Sequence, residues 1–191
     1  RVPFLLHYPP AGARTVDFQI DPQDLMPTLL GLCGIGIPET VQGRDLSSVL
    51  AGGEPLHEDL VLLSCYVPFG QWTRDVGGRE CRGVRTARHT YVRDLDGPWL
   101  LYDNRDDPYQ LDNLARRPEY APLVGGLNEA LDDKLAEVAD DFADADTVLA
   151  RWGYHVNEAR TTPTVAFPQD VDPERYKPVD YWQQSCVNRG S

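Results

Sequence analysis

The sequence predicts an α+β fold: a small antiparallel sheet with one long helix packed across it. Three observations carry that expectation. Between Leu60 and Asp103, short runs rich in valine, threonine, tyrosine and tryptophan are separated by turn residues, as in a half-buried sheet. From Glu119 to Phe142, apolar residues step by three and four, the spacing of one helix face. From Tyr154 onward neither pattern continues.

The elements follow in chain order. Val2 to Leu6, in RVPFLLHYPP, is an apolar run that reads as a buried strand closed by Pro9 and Pro10. TVDFQID is short and extended. In DPQDLMPTLLGLCGIGIP, Asp21 caps a helix with Pro22 at its first position. Leu25, Met26, Leu29, Leu30 and Cys33 keep helical spacing, and Gly34 ends the run. GRDLSSVLAGG is a second, short helix with Asp45 as cap and Gly52 as stop. LVLLSCYV is a strand. ECRGVRT and HTYVRDL are two more, joined tightly around Ala87 and Arg88, and DGPWLLYD is a fourth after a turn at Asp96 and Gly97. The Glu119–Phe142 helix carries its stripe on Tyr120, Leu123, Val124, Leu127, Leu131, Leu135, Val138 and Phe142. DADTVLARWG is a short helix. The rest, with four prolines and five aromatics, reads as an extended tail wrapping the surface.

YDNRDDPYQLDNLA, Tyr102 to Ala115, holds four aspartates and two asparagines. A helix-loop-helix calcium loop wants oxygen ligands at positions 1, 3 and 5, glycine at 6 and glutamate at 12. Counted from Asp103, those places hold Arg105 at 3, Pro108 at 6 and Leu114 at 12. A turn fits better. Asp106, Asp107 and Pro108 bend the chain, and Leu111 and Leu114 plug the bend onto the core.

Charge and cysteine content narrow the partners. There are 18 basic and 30 acidic residues, a net charge of −12, which repels nucleic acid. No apolar run is long enough to cross a bilayer. Glu119 to Asp146 carries nine carboxylates and one lysine, whereas Arg74 to Arg93 carries six arginines and two carboxylates. The basic stretch is either a solvated arginine face or an anion-steering surface. Cys33, Cys65, Cys81 and Cys186 are spaced too irregularly for a zinc site, and Cys33 reads as a buried thiol. The chain begins without methionine or a signal-peptide pattern, so it reads as entered midway. Its compartment stays open, with the cytoplasm favoured.

Three segments resemble the sulfatases of the alkaline phosphatase superfamily. DPQDLMPTLLGLCGIGIPETVQGRDLSSVL is similar to the helix carrying P-T-L-L and the Q-G-R segment after it. RGVRTARHTYVRDL followed by LLYDNRDDPYQLDNLA resembles the C-terminal subdomain, and RVPFLLHYP the last central strand. The resemblance implies three regions: residues 1–55 as the end of the central α/β domain, 56–152 as the C-terminal α+β subdomain, and 153–191 as the tail. It also implies a parent enzyme that cleaves sulfate esters of small molecules or glycans. Such an enzyme uses a formylglycine and a divalent cation, usually calcium, both held upstream. The rest of the sulfatase chain is then the partner of these residues. A phosphonate monoester or phosphodiester hydrolase of the same superfamily is one alternative, and a non-catalytic module binding anionic glycans is another.

No catalytic or metal-binding residue emerges within the chain. Cys81–Arg85, CRGVR, has the spacing of the sulfatase nucleophile motif but holds Gly83 where proline is wanted, and it lies on a strand. His7, His57, His89 and His155 are scattered and read as structural. Trp72 and Arg74, in the glycine-bearing loop FGQWTRDVGGRE, are the candidates for a substrate-cleft rim.

Overall fold

A computed structural model describes residues 4–16, 18–53, 60–68 and 76–153, together with the backbone of 155–156 and 163–164. The chain divides into two compact units. One lies within Arg1–Val67 and Arg79–Asp144, the other within Pro68–Gly78 and Ala145–Ser191.

The first unit is built on a four-stranded antiparallel meander: β1 (Leu60–Cys65), β2 (Cys81–Thr86), β3 (His89–Asp94) and β4 (Gly97–Asp103), in that spatial order. Each strand pairs with its sequence neighbour. Leu62 lies opposite Val84, Val84 opposite Tyr91, and Tyr91 opposite Leu101, so four apolar residues form one row across the sheet. Thr86 Oγ1 closes the β2–β3 turn by accepting from the N–H groups of Arg88 and His89. Gly83, on β2, passes so close to β3 that an added Cβ would meet the Tyr91 carbonyl oxygen at 2.3 Å.

The long helix, α3 in the chain, is preceded by two shorter ones, α1 (Leu25–Leu32) and α2 (Ser47–Leu50). It spans Ala121–Glu137 and starts from a 3-10 turn at Pro118–Tyr120. Leu127, Leu131 and Leu135, four residues apart, bury against Val84, Tyr91, Leu101 and Leu114. Leu131 is fully inaccessible. Leu131→Ala is therefore expected to cost about 2–5 kcal/mol of stability, read from the urea midpoint. A loss under about 1 kcal/mol would mean that this row is not the core.

The α+β expectation holds, and the differences from it are local. The long helix stops at Glu137, not Phe142. Ala139 takes a left-handed φ of 53°, and the Asp140 N–H donates to the Leu135 carbonyl at 2.9 Å. That is a Schellman ending, built on alanine where glycine is usual. The predicted Val2–Leu6 strand is not formed at its described residues. Phe4 to Leu6 pair with no strand among the described residues, and Leu5 is 93% exposed. Helix α1 buries Pro27 and Thr28, whereas Met26, Leu29 and Cys33 are exposed, contrary to the apolar-stripe reading and to the buried thiol at Cys33. Its ends are as expected: Asp21 caps the turn Pro22–Asp24, and Gly34 terminates the helix with a φ of 67°. In the second unit, α4 spans Ala145–Arg151. The tail, expected to be extended throughout, contains a short antiparallel pair, β5 (His155–Val156) with β6 (Pro163–Thr164). Its anchoring aromatics lie outside the described residues, as does His57.

Candidate functional site

Trp72 and Arg74 lie outside the described residues, but the footing of their loop does not. Cys65, the last residue of β1, faces Cys81, the first of β2. The intervening loop therefore leaves and re-enters the sheet at adjacent points. Beside this foot, Arg82 is completely buried. Its Nε donates to Asp140 Oδ2 at 2.5 Å, one terminal nitrogen donates to Asp140 Oδ1 at 3.2 Å, and the other to the Cys65 and Cys81 carbonyls at 3.1 and 3.0 Å. The Tyr66 and Phe142 rings approach the guanidinium, their centroids 3.9 and 4.8 Å from its central carbon. A buried guanidinium tolerates the loss of water only with this many acceptors and ring faces around it. Just before β2, Arg79 pairs with Asp94 at 2.7 Å and lies over Trp99.

Burial disfavours ionisation at the foot. Burial, reinforced by the neighbouring Cys65, pushes the Cys81 thiol up to about 11. Burial also raises Cys65, and raises Tyr66 with help from Asp140. Cys81 thus sits on a strand with a suppressed thiolate, in keeping with the reading of CRGVR as a chance spacing.

A second junction joins α1 to the segment before α2. Asp24 is buried, and its Oδ1 accepts the Arg44 backbone N–H at 2.8 Å. Its Oδ2 accepts from Arg44 through a terminal nitrogen at 2.7 Å and Nε at 3.2 Å, and from the Asp21 N–H at 3.1 Å. Thr28 Oγ1 donates to the Arg44 carbonyl and accepts from the Leu46 N–H at 3.0 Å. Gly43 is required here, since a Cβ would fall 1.9 Å from the Gln23 carbonyl oxygen. The P-T-L-L and Q-G-R-D-L segments are therefore two halves of one clamp.

Asp24 and Asp140 both titrate low. Burial pushes Asp24 up, but hydrogen bonds from the Arg44 side chain and from backbone N–H groups outweigh it. Burial likewise opposes Asp140, and Arg82 with the Phe142 N–H overcomes it. A depressed native carboxyl stabilises fully above the unfolded value of about 3.9 and loses its contribution as pH falls through its lower native value. The urea midpoint should therefore be insensitive to these groups from pH 7 to about 5 and drop below about 4. A midpoint that rose on acidification would contradict the sign.

The aspartate-rich stretch is a turn. Asp103 Oδ1 accepts the Arg105 and Asp106 N–H groups at 3.1 and 3.3 Å, and Asp107 Oδ2 accepts the Asp112 N–H at 2.8 Å. Asn113 Oδ1 accepts the Leu101 and Ala115 N–H groups. Arg88 hydrogen bonds to Asp103, which with backbone N–H donors hold that carboxyl at about 2 against partial burial. Leu114 plugs the core as expected, but Leu111 is 85% exposed. Gln110, at a φ of 56°, turns inward instead to Thr90 and Asn104.

The arginine-rich stretch is not simply a solvated face. Arg82 is buried against Asp140, Arg93 pairs with Asp132 at 2.7 Å, and Arg88 bridges Asp103 and Asp106. Burial lowers the His89 pKa, consistent with a structural role. No cluster of three or more His, Cys, Asp or Glu side chains able to hold a metal ion occurs among the described residues. No helix there is long and apolar enough to cross a membrane.

Comparison with known proteins gives this architecture a family. Residues 1–138 match the family model described as N-sulphoglucosamine sulphohydrolase, C-terminal. The chain belongs to this family. It is 36% identical over 157 residues to an ulvan-active sulfatase of Formosa agariphila, covering 81% of this chain and 30% of that protein. It is 32% identical over 156 residues to an endo-4-O-sulfatase of Bacteroides thetaiotaomicron, covering 74% of this chain and 30% of that one. Among solved structures, a 2-O GAG sulfatase superposes with a TM-score of 0.53 at 29% identity, covering 62% of this chain and 25% of the other. The chain thus spans less than a third of the length of these curated relatives and corresponds to the C-terminal part of a sulfatase.

Sequence reasoning found both halves of the Asp24–Arg44 clamp but not their contact, which joins positions 20 apart. It missed the Arg82–Asp140 pair. Those residues are 58 positions apart, and Asp140 reads as one of many carboxylates on an acidic stretch.

Proposed function

We propose that this chain is the C-terminal part of an enzyme that hydrolyses sulfate esters of glycans, and that it closes and rims a catalytic cleft built elsewhere. The match of residues 1–138 to the sulfatase C-terminal family carries the reading. Relatives named ulvan-active sulfatase, endo-4-O-sulfatase and 2-O GAG sulfatase support a glycan over a small aryl ester. In this reading residues 1–55 finish the central α/β domain, and the loop carrying Trp72 and Arg74 borders the sugar chain. In this reading the formylglycine and the divalent cation belong to the rest of the enzyme. The sheet itself is a poor anion-binding surface, since Arg79, Arg82, Arg88 and Arg93 each carry a carboxylate partner. That pairing disfavours a stand-alone glycan-binding module.

The test compares the full-length protein with the 191-residue chain. The full-length protein should release sulfate from a sulfated oligosaccharide, and the chain alone should release no 4-nitrophenol from 4-nitrophenyl sulfate. Trp72→Ala and Arg74→Ala in the full-length protein should raise KM for the oligosaccharide about tenfold, the equivalent of one lost contact, and leave 4-nitrophenyl sulfate turnover unchanged. Turnover by the chain alone would overturn the proposal. Faster hydrolysis of a phosphonate monoester than of any sulfate ester would replace it with the phosphonate-hydrolase reading.

A further inference from the structure

Cys65 and Cys81 are the only residues of β1 and β2 that bring two thiols into register, and they do so where the rim loop meets the sheet. Directly opposed residues of an antiparallel pair have Cα atoms about 4.5 or 5.5 Å apart, depending on whether they exchange hydrogen bonds. Both values fall inside the range of about 4.4–6.8 Å that a disulfide spans. Both thiols are free, and both residues are half-buried. The pair lies next to the Arg82–Asp140 bridge, and the Arg82 guanidinium donates to both cysteine carbonyls. These hydrogen bonds hold the backbone of the foot on both strands.

We propose that Cys65 and Cys81 form a redox-active cross-strand pair that closes by exchange with a low-molecular-weight disulfide of the glutathione type. One cysteine thiolate attacks the small disulfide, forming a mixed disulfide and releasing one small thiolate. The second cysteine thiolate then attacks the protein sulfur of that mixed disulfide, forming the Cys65–Cys81 bond and releasing the second small thiolate. The two cysteines lose two electrons and two protons, and the small disulfide takes up both to become two thiols. The product is a staple across the two ends of the loop that carries Trp72 and Arg74. The raised thiols described above make the exchange slow, and they also shield the reduced pair from indiscriminate alkylation.

The experiment uses the full-length protein, incubated with oxidised glutathione until the exposed Cys33 carries a glutathione adduct, then alkylated and digested with trypsin without reductant. The expected product is the peptide Asp45–Arg74 joined to Glu80–Arg82, lighter than the sum of the two by two hydrogen atoms. It should vanish on treatment with dithiothreitol and be absent from Cys81→Ser. Recovery of both peptides alkylated while Cys33 is modified would overturn the proposal. So would stable glutathione adducts on Cys65 or Cys81 without the cross-link, or a link from either to another cysteine.

Discussion

Replacing Arg44 with alanine is expected to lower the unfolding free energy by about 3–5 kcal/mol, because it strands a fully buried carboxylate. Asp24 has no access to water and takes most of its donors from one residue, whose side chain supplies two nitrogens and whose backbone supplies a third. Arg44→Ala deletes the side-chain donors and leaves the charge in place. Asp24→Asn should cost less, since the amide keeps a neutral acceptor for the Arg44 N–H. Arg44→Lys should recover little, since an ammonium cannot reproduce the forked contact. Urea denaturation followed by circular dichroism measures all three. A loss for Arg44→Ala below about 1 kcal/mol, the range of an exposed pair, would show that the clamp is solvated in solution.

Removing Arg82 is expected to be as severe, about 3–5 kcal/mol, for the same electrostatic reason applied to Asp140. Both side chains are almost inaccessible, at 0% and 6%. The loss has a second part here, because the Tyr66 and Phe142 rings lose the cation between them. The two contributions separate in a double mutant. Arg82→Met with Asp140→Leu removes the charges together, and should recover much of the stability lost by Arg82→Met alone, since no carboxylate is left behind. If the double variant is no better than the single one, packing and not charge governs the foot of the β1–β2 loop.

The sheet was legible because its turns are local. Ala87 and Arg88 sit between β2 and β3, and Leu95 and Asp96, one residue before the expected turn, sit between β3 and β4; the alternation places Val84, Tyr91 and Leu101 on one face, and the pairing follows that order. The stripe Leu127, Leu131 and Leu135 was legible for the same reason, a period readable within one element. What failed was set by chemistry that period does not encode. The end of α3 depends on Ala139 adopting a conformation usual for glycine, which its identity does not announce. The buried face of α1 is chosen by Asp24 and Thr28, polar residues drawn inward by Arg44, and the apolar Met26 and Leu29 are left outside. Arg82 shares the face of β2 that carries Val84, where a charge is not expected, and the carboxylate that satisfies it lies 58 positions away. Trp72 and Arg74 lie outside the described residues, and the structure gives only the two strand ends that flank their loop, Cys65 and Cys81.

The order of the meander has a consequence for how the molecule is made. Every strand hydrogen-bonds only the strands before and after it in the chain. Assembly can therefore proceed in the order of synthesis, with no early strand left waiting for a distant partner. The hydrogen bond of greatest reach described above, Arg82 with Asp140, becomes possible only when α3 has emerged and turned back. It serves as a latch, engaged after the pieces it holds are already in position.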